Sequence, residues 1–284
     1  MRLLTLIAAS AAAYVTSFFG GFAEKELAAA GQPTDWGLNF QDSASPIMDD
    51  LIQFDNLLLV LITVISVFVL VLLLIIMVRF NSKANPEPSK TTHNTLIEVV
   101  WTIAPILILV MIAIPSFRLL YKQMEIPEAD MTIKATGYQW YWGYEYPDHG
   151  DIQFDSYMVA DDELTAGQPR LLTTDTDVVV PLNATVRLII TAEDVIHAWA
   201  IPSFGVKMDA VPGRLNETWF RATQLGTFYG QCSELCGINH AFMPITVKVV
   251  TQEEFDEWIK WAAEEYAEAP SLAPTSIQVA GVAR

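Results

Sequence analysis

The sequence predicts a two-helix transmembrane hairpin followed by an all-β sandwich or barrel with a short C-terminal helix. Three observations carry this reading: two long stretches without charge, a concentration of acid beyond them, and short β-branched or aromatic runs separated by turn residues. The 284 residues are 52% apolar and 17% charged, with a formal charge of −17. That apolar share excludes an acidic disordered chain, which would pair high net charge with few apolar residues. The charge also excludes nucleic acid as a partner, because too few cations are available to neutralise phosphates.

The first segment, M-R-L-L-T-L-I-A-A-S-A-A-A-Y-V, has a basic start and an apolar run too short to cross a bilayer, with small residues such as Ala23 and Ala30 behind it. This is the pattern of a secretory signal, so residues 1–30 are expected to be processed and 31–52 to form the exported N-terminal segment. A retained N-terminal helix is the alternative. Residues 56–78 then carry no charge at all. As a helix they would be about 34 Å long, enough for a hydrocarbon core of about 30 Å. Val99 to Phe117 is likewise uncharged and contains Pro105 and Pro115. Prolines are tolerated in spanning helices, so a kink is expected there more than a break. The hairpin is placed at 53–122, with spans near 55–79 and 96–120, and Trp101 and Tyr121 suit interfacial anchoring.

The loop between the spans holds Arg79, Lys83 and Lys90 against the single acid Glu87. Short cationic loops stay cytoplasmic, which sends the N-terminal segment and everything after Tyr121 outward. From residue 123 to the end there are 24 acids and 9 bases, a balance of −15. The acid belongs to the exported domain.

That domain, 123–251, reads as β. M-T-I-K-A-T-G-Y-Q-W-Y-W-G-Y-E-Y, D-V-V-V-P-L-N-A-T-V-R-L-I-I-T-A, T-W-F-R-A and M-P-I-T-V-K-V-V are short runs divided by Pro, Gly, Asn and Asp. Residues 138, 140, 142, 144 and 146 are all aromatic, which predicts one strand with an aromatic face. Residues 252–284 are expected to be a helix with Phe255, Trp258 and Trp261/Ala262 on one face, then a mobile tail.

The two cysteines lie in G-Q-C-S-E-L-C-G-I-N-H-A-F-M-P as Cys232 and Cys236. A disulfide is the usual reading in an exported domain, but it would close a short loop where strain is high and little chain entropy is removed. His240 and Met243 follow directly, and His197 lies upstream in T-A-E-D-V-I-H-A-W, at the end of another expected strand. Cys, His and Met on one loop with a distant second His is how a cupredoxin holds copper; zinc would also accept two Cys and two His. Two thiolates on one loop can each bridge two metals. Such a centre would relay single electrons.

The motifs C-S-E-L-C-G-I-N-H-A-F-M-P, D-V-I-H-A-W-A-I-P-S-F-G-V-K-M-D-A-V-P-G-R-L-N and G-Y-Q-W-Y-W-G-Y-E-Y resemble those of subunit II of haem-copper cytochrome c oxidase, of the bacterial aa3 type, over about residues 38–260. The resemblance implies a cupredoxin-like domain, 123–251, that takes electrons from soluble or membrane-anchored cytochrome c and passes them to haem in subunit I, for oxygen reduction coupled to proton translocation. It implies two copper ions in a dinuclear copper A centre held by His197, Cys232, the Glu234 carbonyl, Cys236, His240 and Met243. It also implies a magnesium ion shared with subunit I through the Glu234 side chain. Further implied roles are electron entry at Trp140, the mouth of the K proton pathway at Glu98, cytochrome c docking at Glu145, Asp155, Asp175 and Asp194, and a hydrogen-bonded network at Arg214. Partners would be subunits I and III in a bacterial inner membrane, with the copper domain periplasmic.

Three other classes differ from this sequence at identifiable residues. A quinol oxidase subunit II would lack the copper ligands, and a nitrous-oxide reductase would lack the hairpin. A membrane-anchored receptor would leave Cys232 and Cys236 as a disulfide. No C-x-x-C-H occurs, so no fused c-type haem is expected.

Overall fold

The computed structural model describes residues 31–150 and 152–266. The expected signal segment and the tail beyond residue 270 lie outside the described residues.

Helix α1 spans Pro46–Arg79. Ser45 starts it: its hydroxyl accepts from the Met48 N–H at 3.0 Å, and Pro46 sits in the first turn, where no N–H is required. Helix α2 spans Thr95–Met124, capped by Asn94, whose side chain accepts from the Ile97 N–H. Pro105 and Pro115 lie inside it without ending it. Both helices run past the uncharged stretches, and their most apolar windows are 0% buried. Such greasy surface needs a bilayer or a partner protein to cover it.

The outer ends of the hairpin are fastened to the β domain. The Ala44 N–H donates to the Ser203 carbonyl at 2.9 Å, and the Ala44 carbonyl accepts from the Thr223 N–H at 2.9 Å. The Ser45 hydroxyl donates to the Phe204 carbonyl at 2.7 Å, in a contact that is fully buried. At the other end the Trp219 indole N–H donates to the Lys122 carbonyl, and the Lys122 ammonium pairs with Asp50 of α1. The start of α1, the end of α2 and the β domain therefore share one side, and residues 80–94 lie at the far end of the hairpin.

Ten strands follow: β1 Met131–Tyr138, β2 Tyr141–Tyr146, β3 Ile152–Ser156, β4 Val178–Pro181, β5 Thr185–Ala192, β6 His197–Ile201, β7 Val206–Ala210, β8 Asn216–Arg221, β9 Gly226–Gln231 and β10 Pro244–Val250. They form a five-stranded sheet in the order β3-β2-β1-β5-β8, a three-stranded sheet β4-β10-β9, and the pair β6-β7. β1 pairs parallel with β5 and β4 with β10, while the remaining ladders are antiparallel. Inward-facing Ile133, Leu188, Ile190, Phe204, Phe220 and Phe228 are almost fully buried. Each such side chain contributes about 1.5–3 kcal/mol relative to exposure. Phe204 joins the layers, its ring centroid 5.0 Å from Phe220 and 4.9 Å from Phe228.

The aromatic run departs from the one-strand expectation. Tyr138 pairs with Tyr141 across an antiparallel ladder, so Gln139 and Trp140 form a two-residue turn and the run is a hairpin. Only Trp142, Tyr144 and Tyr146 face the core together. The strand-like run after Asp177 likewise splits into β4 and β5, at a turn where Asn183 takes φ 64°. His197 opens β6 instead of ending a strand.

Helix α3 spans Gln252–Glu265 and starts with a capping box between Thr251 and Glu254. Phe255 and Ala262 are its buried residues, and Trp258 packs on Tyr146 with ring centroids 5.2 Å apart. Trp261, expected on the same face, is 49% exposed and meets Tyr266 instead.

Candidate metal centre

The donor groups come from β6 and from the loop between β9 and β10. His197, the first residue of β6, is fully buried. Cys232 follows β9, His240 begins a short 3-10 turn, and Met243 directly precedes β10. The loop is closed at its base by the Cys232 N–H donating to the Met243 carbonyl at 3.3 Å. It is stapled to β6 by the Ser233 N–H donating to the Ala198 carbonyl at 3.0 Å. Strand contact brings the two segments close: a Cβ on Gly230 of β9 would sit 1.8 Å from the Ala200 carbonyl of β6, so no larger residue fits.

Sulfur and nitrogen converge as a result. The Cys232 and Cys236 sulfurs are 3.8 Å apart, and both cysteines are buried and free. A disulfide needs about 2.05 Å, so that reading does not hold here. His197 Nδ1 lies 3.9 Å from Cys232 Sγ, and His240 Nδ1 lies 3.5 Å from Cys236 Sγ. Met243 Sδ is 3.5 Å from Cys236 Sγ, and the Glu234 carbonyl is 3.2 Å from Cys232 Sγ. The ligand atoms of His197, Cys232 and Cys236 all lie within 4.8 Å of one another. Two thiolates, two imidazoles, a thioether and a carbonyl form a soft, sulfur-rich set that suits copper.

The far side of the His197 ring is held by a carboxylate, with Nε2 2.9 Å from Asp194 Oδ1. In a neutral ring that donates from Nε2 to this carboxylate, Nδ1 would be the lone-pair nitrogen available to a metal ion. Asp194 also accepts from the N–H groups of Gln139 at 2.7 Å and Val195 at 2.6 Å. Burial works against its charge, but the bonds to His197 and these amides hold its carboxyl below the usual range. For His197, burial disfavours the cation, yet Cys232 and Asp194 outweigh it and raise its affinity for a proton. Burial also opposes the Cys232 thiolate, but His197 and nearby backbone groups stabilise it, while burial and the Cys232 charge push Cys236 up.

The other expected positions scatter. Trp140 is half-buried, and its indole N–H donates to the Cys236 carbonyl at 3.2 Å. The Glu234 side chain is exposed, 4.0 Å from the Lys207 ammonium. Arg214 is exposed at the surface. Glu145 pairs with Lys134 at 2.6 Å. Asp175 accepts from the Tyr157 N–H, and Asp155 meets the Tyr157 hydroxyl. Glu98, far away on α2, lies in a shallow surface depression of that helix with Thr95, Val99, Thr102 and Ile103.

Sequence reasoning passed over Gln139, whose side-chain amide donates to the Cys236 carbonyl at 2.8 Å. It also read Asp194 only as a docking acid, although its position three before His197 was a signal for an orienting carboxylate. Trp142 was grouped with the other aromatics, but its ring stands edge-on to His197 at 6.0 Å.

Fold and site together define a membrane-anchored β-sandwich with a buried His/Cys/Cys cluster able to hold a metal ion. The comparisons give the family. Residues 131–250 match "Cytochrome C oxidase subunit II, periplasmic domain" and residues 33–119 match its transmembrane domain. The chain is 56% identical over 230 residues to "Probable cytochrome c oxidase subunit 2" of Rickettsia bellii, covering 81% of this chain and 86% of that one. It is 46% identical over 291 residues to "Cytochrome c oxidase subunit 2" of Cereibacter sphaeroides, covering 96% of each. Among solved structures, the periplasmic domain of subunit II of cytochrome oxidase (CoxB) of Bradyrhizobium japonicum is 58% identical, covering 50% of this chain and 99% of that one, with TM-score 0.47. The chain belongs to the cytochrome c oxidase subunit II family. It is a two-span membrane subunit of an oxidoreductase complex, with a cupredoxin-like β domain.

Proposed function

We propose that this chain is the electron-entry subunit of its oxidase, accepting electrons from cytochrome c at a dinuclear copper A centre and passing them to haem in subunit I, where oxygen is reduced with proton translocation. The observation that carries the reading is the Trp140 indole N–H on the Cys236 carbonyl, a direct bond from a surface aromatic to the donor cluster. Two copper ions held by His197, Cys232, the Glu234 carbonyl, Cys236, His240 and Met243 would supply a one-electron couple.

The chain's own residues set the conditions for that couple. Burial of Cys232, Cys236, Met243 and His197 keeps water from the donors. The loop and β6 fix the sulfurs and imidazoles relative to one another through the Cys232–Met243 and Ser233–Ala198 backbone bonds, so little rearrangement would accompany a change of charge. Asp194 fixes the His197 ring. Trp140 offers a partly exposed π surface to a partner, and the acids Glu145, Asp155, Asp175 and Asp194 are proposed to guide that partner to it.

With −15 on the segment from residue 123, the domain would attract a basic cytochrome and speed encounter, with strong salt dependence. Glu234, exposed beside the cluster, is the side chain proposed for magnesium shared with subunit I; a carboxylate oxygen suits that ion. Arg214 is assigned to the polar network beneath it. Glu98, at the opposite end of the hairpin, is assigned to the K-pathway mouth; acids at membrane boundaries commonly serve proton routes. The cationic loop at 80–94 favours a cytoplasmic hairpin turn and a periplasmic β domain in the inner membrane.

The test is an EPR spectrum of the copper-loaded chain within its purified oxidase. Hyperfine coupling to two equivalent copper nuclei is expected. Coupling to one nucleus would overturn the dinuclear assignment.

A further inference from the structure

The tip of the β1–β2 hairpin touches both halves of the metal site. On the His197 half, Gly137 lies against the ring: a Cβ there would fall 2.9 Å from His197 Cδ2. Trp142, paired with Gly137 across the ladder, closes on the same imidazole from its edge. On the cysteine half, two donors from the turn meet on a single acceptor, Gln139 Nε2 at 2.8 Å and Trp140 Nε1 at 3.2 Å from the Cys236 carbonyl. Gln139 is the residue that joins the halves. Its backbone N–H holds Asp194, which holds His197 Nε2, while its side-chain amide holds Cys236.

We infer that Gln139 is a positioning residue for the metal centre, fixing the His197 ring and the Cys236 loop at one relative placement. The inference rests on the copper reading above and extends it to a residue that touches no metal. His197 and Cys236 lie on segments separated by β7, β8 and β9, and local chain connectivity cannot set their spacing. One two-residue turn, rigidly paired at Tyr138 and Tyr141, can. Partners of this kind around metal ligands commonly change affinity by about 10–100-fold when removed. Gln139 itself is exposed, so its substitution leaves the core untouched and separates placement of the ligands from folding of the domain.

The experiment compares wild type with Gln139→Leu, which removes the amide, and Gln139→Glu, which keeps the shape but presents an acceptor to the Cys236 carbonyl. Each is purified as the assembled oxidase. Two quantities are read: the copper hyperfine pattern, and the rate of copper loss to a chelator. Both variants are expected to lose copper about tenfold faster than wild type, with an altered hyperfine pattern. Tyr138→Phe, on the same turn and without a bond to Asp194 or Cys236, is expected to match wild type. Wild-type behaviour in both Gln139 variants would overturn the inference while leaving the copper reading intact. Equal losses in Tyr138→Phe would also overturn it, because the effect would then be general loosening of the turn. A wild type without a two-copper signature would overturn the copper reading, and this inference with it.

Discussion

Asp194 shows how one side chain can be read in two ways. As a surface acid it belongs to the patch proposed for cytochrome c, but its oxygens are already bonded to His197, Gln139 and Val195. Asp194→Asn is expected to speed copper loss about tenfold and alter the hyperfine pattern of the centre, measured on the purified oxidase. A purely docking role would instead slow reaction at low salt and leave the spectrum alone. At this scale the sequence was informative where donors are close in the chain: Cys232, Cys236, His240 and Met243 occupy one loop, and loop spacing is visible in letters. Gln139 was not legible. Its importance arises from the register that pairs Tyr138 with Tyr141, and the aromatic period ran across that turn without a Gly, Asn, Asp or Pro to mark it.

Among the elements, α3 has a start that rests on a titrating group. The Thr251 hydroxyl accepts from the Glu254 N–H at 3.3 Å, and the Glu254 carboxylate accepts from the Thr251 N–H at 2.9 Å. Those bonds hold the Glu254 pKa below its ordinary value. A carboxyl lowered on folding stabilises the helix above its unfolded pKa, and the benefit is lost as pH falls through the folded one. Glu254→Gln should therefore weaken amide protection in the first turn of α3 at neutral pH, and the difference from wild type should shrink in acid. Hydrogen exchange across that range checks it; a difference independent of pH would count against the carboxylate. The spanning helices were the most legible elements, because an uncharged run of this length leaves few soluble alternatives. Short strands such as β3, β7 and β9 were not, since their burial depends on neighbours far away in sequence.

For the whole molecule, the separation of grease and acid is the governing pattern, and it was readable from composition and order alone. The acid also makes a kinetic prediction. Asp155→Lys should slow the second-order reaction with a basic cytochrome c several-fold at low ionic strength, and the difference should fade as salt screens the field. Rates that match wild type at low salt would remove Asp155 from the patch. What composition could not reveal is how the two parts are joined. Ala44 and Ser45 are threaded between Ser203, Phe204 and Thr223, and the indole of Trp219 caps the end of the other span. Such a mounting works like a bracket with two bolts: it resists both rocking and swivelling of the β domain on its stalk. The position of the Cys232–Met243 loop relative to the two spans is thereby a fixed dimension of the subunit, so that under the proposed electron-entry reading a partner seated against the hairpin would meet the centre at constant range without a search through orientations.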